Sequence, residues 1–192
     1  MGQSSTRAVS STMIIYQGKT KTGKEIVVRY PEMGDLEEML AFINNLSDEK
    51  TFVRYQGEHE TVESEKKYLE GRLKAIKDKK AIHLLVFCKN KLIGASDIHM
   101  MDKTEKHIGV LGISIAKNFR GEGVGKILMN LVEEEAKKKL PNLKMITLGV
   151  YSPNTVARNM YKKIGYVEYG ILPNGITRGG KFEDAVLMYK NI

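Results

Sequence analysis

The stretch Ile113-Ser114-Ile115-Ala116-Lys117-Asn118-Phe119-Arg120-Gly121-Glu122-Gly123-Val124-Gly125-Lys126 decides how the fold is read. A β-branched strand runs through three alternating glycines into a segment, Gly123 to Lys139, where Val124, Ile127, Leu128, Leu131 and Val132 recur at helical spacing. Glycines leave backbone N–H groups uncovered, and a helix start adds unpaired N–H groups and the positive end of its dipole. The pattern therefore predicts an anion cradle, suited to phosphate. Two known phosphate loops do not fit. A Walker A loop needs Gly at 120 and Ser or Thr at 127, where Arg120 and Ile127 stand; a dinucleotide fingerprint begun at Gly121 needs Gly in place of Lys126.

Upstream of the loop, Ala81 to Cys88, Leu92 to Met100 and His107 to Ile115 read as strands, and their short polar connections predict antiparallel neighbours. Met13 to Tyr16 and Glu25 to Tyr30 read as two earlier strands. Asp35, with Glu38 three residues on, predicts a capping box opening a helix whose stripe is Leu36, Met39, Leu40, Ile43 and Leu46. A second helix is expected over Thr61 to Lys79, with Tyr68, Leu69, Leu73 and Ile76 on its apolar side. Downstream, Glu133, Glu134 and Glu135 each precede a Lys by four residues, predicting surface ion pairs worth a few tenths of a kcal/mol each. Lys144 to Val150 reads as a strand and Pro153 to Ile164 as a short helix capped by Ser152, with Val156, Met160 and Ile164 toward the core. Terminal strands Gly165 to Gly170 and Ala185 to Lys190 flank a glycine-rich loop, Pro173 to Lys181. The order is ββααβββαβαββ, that of an α/β (α+β) chain.

The 192 residues are 42% apolar, which suits one ordinary domain over 13–192 following a flexible Ser/Thr-rich leader, 1–12. Cys88 is the single cysteine and sits in an apolar run, so a buried inert thiol and a reducing, cytoplasmic compartment are expected. No apolar run approaches the ~18 residues of a membrane span, which predicts no membrane partner. The net charge of +8 favours anionic partners. Its 24 Lys and 7 Arg are scattered, with no arginine-rich block. A solvated surface plus one anionic cofactor is expected, rather than nucleic acid.

Arg120-x-x-Gly123-x-Gly125 resembles the Gln/Arg-x-x-Gly-x-Gly/Ala loop of the GNAT acetyltransferase superfamily. Two further pieces lie in register: the strand Leu111 to Ile115, and Asn154-Thr155-Val156-Ala157-Arg158-Asn159-Met160-Tyr161-Lys162-Lys163-Ile164-Gly165-Tyr166, similar to the family's Asn-x-x-Ala-x-x-x-Tyr-x-x-x-Gly-Phe segment. The resemblance covers about Glu25 to Tyr189 and implies the acyl-CoA N-acyltransferase fold, an α/β (α+β) arrangement with a mixed, mostly antiparallel central sheet flanked by helices. It also implies transfer of acetyl from acetyl-CoA to a primary amine, with no metal, by a monomer or homodimer. Main-chain groups of Ile113, Ser114 and Ile115 would hold the pantetheine arm. Gly121, Glu122, Gly123, Val124, Gly125 and Lys126 would wrap the pyrophosphate, with Arg120 and Lys126 adding charge. Asn154 would bond the cofactor arm, and Tyr161 would protonate the departing thiolate.

Relatives often carry a Glu base where Gly149 or Val110 stands here. Neither residue accepts a proton. Asp97, His99, His107, Glu58, His59 and Glu183 are the candidates that remain, and a water-mediated base or an amine arriving neutral is the expectation. The acceptor side is expected to involve Asp35 to Lys79 and the loop Pro173 to Lys181, with an α-amine, a peptide or protein N-terminus, or an amino-acid-like amine favoured over a polyamine. The competing expectation is a silent CoA-binding protein.

Overall fold

The computed structural model describes residues 13–192; the leader expected over 1–12 lies outside the described residues. Strands β1 (Ile14–Lys19) and β2 (Glu25–Arg29) are followed by helices α1 (Leu36–Asp48) and α2 (Val62–Lys77), then strands β3 (Ala81–Cys88), β4 (Lys91–Met100) and β5 (Ile108–Ile115). The chain continues through helix α3 (Val124–Lys139), strand β6 (Met145–Tyr151), helix α4 (Thr155–Lys163), and strands β7 (Val167–Arg178) and β8 (Lys181–Asn191). All eight strands share one sheet in the order β1-β2-β3-β4-β5-β6-β8-β7.

Every residue of β3 is buried, because helices cover both faces of the sheet there. Toward α3, Ile82, Leu84 and Val86 join Val28, Ile98, Leu128 and Val132. Toward α1 and α2, Leu85 and Phe87 meet Met39, Phe42, Leu46 and Leu69. Burial of each such side chain contributes about 1.5–3 kcal/mol. Cys88 is buried among the residues of the α3 face, as its apolar run predicts.

Among the described residues only one strand pair is parallel. β5 joins β6 at Ile108–Met145, Gly109–Ile146 and Val110–Thr147, and then pairing stops. β5 stays with β4 as far as Ile115, while β6 stays with β8 as far as Tyr151. A wedge therefore opens between the C-terminal halves of two adjacent strands. Gly109 lies one residue before its apex at Val110, and a Cβ on Gly109 would stand 2.7 Å from Ile98 Cγ2 and 2.9 Å from Leu143 Cδ1. Close packing there holds the strands together before they part.

Four local expectations change. Asp35 does not cap α1: its carboxylate forms a bidentate pair with Arg29 (2.8 Å at Nη1) and accepts the Glu32 N–H, while Glu38 accepts the Leu92 N–H. Asn154, not Ser152, caps α4, its Oδ1 accepting from Ala157 N–H at 3.2 Å. Val156 is 82% exposed rather than core. Residues 173–178, read as loop, extend β7 to a turn at Gly179-Gly180, with a register shift between Leu172 and Ile176.

Two of the three glutamates of α3 also depart from a solvated row, while Glu134 stays exposed. Glu133 and Glu135 are buried; Glu133 pairs with Lys190 of β8 at 2.6 Å, and Glu135 accepts from the Tyr30 hydroxyl and pairs with Lys139. Lys190 and Tyr30 are brought by other elements, which i,i+4 spacing does not see, whereas Glu135–Lys139 is the i,i+4 pair that the spacing predicts.

Candidate active site

The loop leaving β5 has Gly121 at φ +77° and Gly123 at φ +87°, a region L side chains rarely adopt. Gly123 precedes α3 with no side-chain cap, and the first helical bond runs from Ile127 N–H to the Gly123 carbonyl at 3.2 Å. Among the described residues, the N–H groups of Gly121 through Lys126 donate to no acceptor. Six consecutive amides at a helix start can bind an anion.

Charge around this cradle is arranged by a distant turn. Glu122 points away from it, accepting from Thr22 Oγ1 at 2.7 Å and pairing with Lys24; hydrogen bonds from Lys24, Thr20 and Thr22 lower its pKa to about 2. Lys21 donates its N–H to the Glu122 carbonyl, and its side chain lies across Gly123, 3.5 Å from where a Cβ would stand. Lys126 flanks α4 beside Met160 and Lys163. Arg120 is committed within the chain: Nε donates to the Ile115 carbonyl at 2.9 Å and the guanidinium pairs with Glu49 at 2.6 Å.

Strand alternation decides which main-chain groups of β5 face the wedge. Ala116 N–H donates to the Ile93 carbonyl on β4. In the registered pairing, Ser114 opposite Ala95 and Gly112 opposite Asp97 are then the hydrogen-bonded pairs. Ile113 and Ile115 direct their N–H and C=O groups toward the wedge, whereas those of Ser114 belong to the β4 ladder. Tyr161 of α4 is buried, with its ring 6.0 Å from that of Tyr166, and burial pushes its pKa up to about 12.

On the opposite face of the sheet, α1, α2 and strands β3 to β5 enclose a cavity of about 310 Å³. Gly112, Ile113 and Ser114 form its β5 wall, so the cavity abuts the strand that borders the wedge. Its polar lining includes Glu60, Glu65, Arg72, His83 and Asp97. Asp97 pairs with Arg72 at 3.2 Å and meets His99 at 3.4 Å; burial raises its pKa, but His99, His83 and Arg72 together outweigh that and hold it low. Glu60 accepts from Tyr55 at 2.8 Å and from Ser64. His83 is 2% exposed, and burial depresses its pKa to about 4, so it is neutral.

Of the six base candidates in the sequence, only Asp97 lines this cavity. Glu58 is held by the Gln56 N–H, His59 pairs with Asp48, Glu183 pairs with Arg178, and His107 is exposed. Glu65, His83 and Arg72 were not foreseen. One signal existed for Glu65: it precedes Leu69 and Leu73 by four and eight residues, placing a carboxylate on the apolar stripe of α2. Among the described residues no group of three His, Cys, Asp or Glu side chains could hold a metal ion, and no helix is long and apolar enough to cross a membrane.

A splayed parallel pair, a glycine-rich loop with free amides and an adjoining cavity thus lie along one strand, β5. Comparison with known proteins names the family. The pattern of the acetyltransferase (GNAT) family matches residues 40–166. An acetyltransferase of the GNAT family from Streptococcus pneumoniae is 31% identical, with a TM-score of 0.79 over 88% of this chain and 100% of that one. An N-alpha-acetyltransferase of Sulfurisphaera tokodaii is 26% identical over 170 residues, 88% of this chain and 95% of that protein. The Salmonella typhimurium protein yncA, solved with its cofactor acetyl-CoA, shares the fold at a TM-score of 0.74 and 12% identity, over 86% of this chain and 93% of that one. The chain belongs to the GNAT acetyltransferase family. It is an acetyl-CoA-dependent N-acetyltransferase.

Proposed function

We propose that residues 13–192 act as one domain that transfers acetyl from acetyl-CoA directly to a primary amine carried by a peptide or protein N-terminus or an amino-acid-like molecule. The observation carrying this reading is the continuity of wedge, cradle and cavity along β5. The names of two relatives lean the same way: the Sulfurisphaera protein acts on α-amines by its name, and a ribosomal-protein-alanine N-acetyltransferase from Brucella melitensis shares the fold at a TM-score of 0.76 and 20% identity.

The residues present fit a CoA arm. The free amides of Gly121 to Lys126, with Lys21 and Lys126 beside them, suit a pyrophosphate; the main-chain groups of Ile113 and the N–H of Ile115, whose carbonyl already accepts from Arg120, suit the amides of a pantetheine arm. Bound there, acetyl-CoA supplies the activated acyl group. Ser114 adds its side chain to the acceptor cavity, and Arg120 braces the loop against Ile115 and Glu49. Asn154 caps α4 through Oδ1 and keeps its amide N–H groups for the cofactor arm. Tyr161, protonated at any physiological pH, holds the proton that the departing sulfur needs.

A panel of free amino acids, dipeptides, N-terminal peptides and alkylamines, incubated with enzyme and acetyl-CoA and read by mass spectrometry, tests the reading. N-acetylated α-amines with matching CoA release are expected. CoA binding with no acetylated product would favour a silent CoA-binding protein instead.

A further inference from the structure

We propose that Glu65 receives the acceptor's ammonium and takes its proton. This rests on the acetyl-transfer reading and supplies the base that neither Val110 nor Gly149 can provide.

Glu65 is 5% exposed and lines the cavity whose β5 wall is Gly112, Ile113 and Ser114. Among the described residues its carboxylate makes no hydrogen bond and no ion pair. The neighbouring groups are otherwise committed. Glu60, in the segment before α2, accepts from Tyr55 and Ser64; on α2 itself, Arg72 pairs with Asp97 of β4 and stacks on Tyr68, 4.9 Å from its ring centroid. His83 of β3 is neutral and forms no hydrogen bond, its Nδ1 buried without a partner. Arg54 also lines the cavity, but the charge acting on Glu65 is that of Glu60, which has the same sign.

Glu65 is largely but not fully desolvated and has no protein partner for its carboxylate among the described residues, which favours as ligand a cation that donates hydrogen bonds. A primary ammonium is such a group, and it is what an N-acetyltransferase must capture. Burial and Glu60 both raise the pKa of Glu65 above the ordinary carboxylate range, which makes it a stronger base than a solvated glutamate. Asp97, held low by its partners, stays charged and is the weaker base.

The protons balance as follows. The acceptor R–NH3+ gives one proton to a Glu65 oxygen; the freed lone pair forms the N–C bond to the thioester carbonyl carbon as the C–S bond breaks. The second N–H proton goes to the sulfur by way of the Tyr161 hydroxyl. Glu65 then releases its proton to solvent, leaving an amide, a free thiol and one proton.

The test compares wild type with Glu65→Gln, using acetyl-CoA and the best acceptor from the amine panel. Expected are a fall of about 10²- to 10⁴-fold in kcat/KM for the acceptor, an unchanged CoA Kd, and loss of the ascending limb of the wild-type pH profile. The thermal midpoint of the unliganded variant should rise at pH 7 and change little at pH 4, because an unpaired charge is removed. Transfer within threefold of wild type with the limb intact overturns Glu65 and leaves the acetyl-transfer reading standing. A lowered midpoint at pH 7, or failure to fold, overturns the claim that the carboxylate is unpartnered. Wild-type enzyme that acetylates no amine removes the reading on which the proposal rests.

Discussion

Tyr161→Phe removes one hydroxyl from a side chain that is 7% exposed and whose raised pKa has burial as its sole cause. No hydrogen bond within the protein is lost, so folding stability should move by no more than about 0.5 kcal/mol. The chemical step should respond far more. Complete proton transfer from a hydroxyl near pKa 12 to a thiolate whose acid lies near about 8.5 is uphill by roughly 5 kcal/mol. In the proposed acid role tyrosinate would therefore not accumulate, and the hydroxyl would work by donating to sulfur while the C–S bond breaks. A loss of about 10²- to 10⁴-fold is expected, read by rapid quench under single-turnover conditions with the CoA Kd unchanged. Because Tyr161 keeps its proton up to about pH 12, its contribution should be flat through the alkaline assay range. A chemical step unaffected by the substitution refutes the acid assignment. A wild-type descending limb near pH 9 that vanishes in the variant refutes the inference from burial.

Three other outcomes follow from the geometry. Lys190→Met strands Glu133, which is 5% exposed, and should cost about 3 kcal/mol, seen as a fall of roughly 6–12 °C in Tm; Lys137→Met should be nearly silent, and equal effects would restore the solvated-row picture. His83, depressed to about 4 by burial, binds a proton less readily folded than unfolded. Its stabilising contribution is full above about pH 6.5 and falls as the pH drops toward 4, by roughly 3 kcal/mol in all; urea unfolding of wild type and His83→Gln across that window should show a shallower slope in the variant. Gly123→Ala places a Cβ at φ +87° at a strain of about 1–2 kcal/mol, so calorimetry should find CoA binding weakened roughly tenfold, and unchanged affinity would separate the cradle from the cofactor.

Local chemistry was legible in the sequence, and contacts between distant elements were not. Gly121 and Gly123 announce the cradle because left-handed backbone favours one residue type. The strands and helices follow from periodicity, and their order from the lengths of the connections. Burial of Glu133 and Glu135 was hidden because Lys190 and Tyr30 arrive from β8 and the end of β2. Asp35 looked like a cap because its role as partner to Arg29 is tertiary. Ser114 could not be separated from Ile113 and Ile115, since only the β4 register shows which main-chain groups are already paired. Val156 carried the right spacing for a core position on a helix too short and too peripheral to bury it.

The tie between Glu122 and Thr22 and Lys24 spans about a hundred residues, and the family match begins at residue 40. The hairpin that neutralises the loop's own acid and lays Lys21 over Gly123 thus lies outside the segment that defines the family. On the proposed cofactor site, affinity for the anion would in this way be partly written in the first strands of the chain. By reciprocity, a ligand on the cradle must also steady that hairpin, slowing amide exchange at Thr20 to Lys24. A loop transplanted without its hairpin would carry the motif and leave Lys21 and the partners of Glu122 behind.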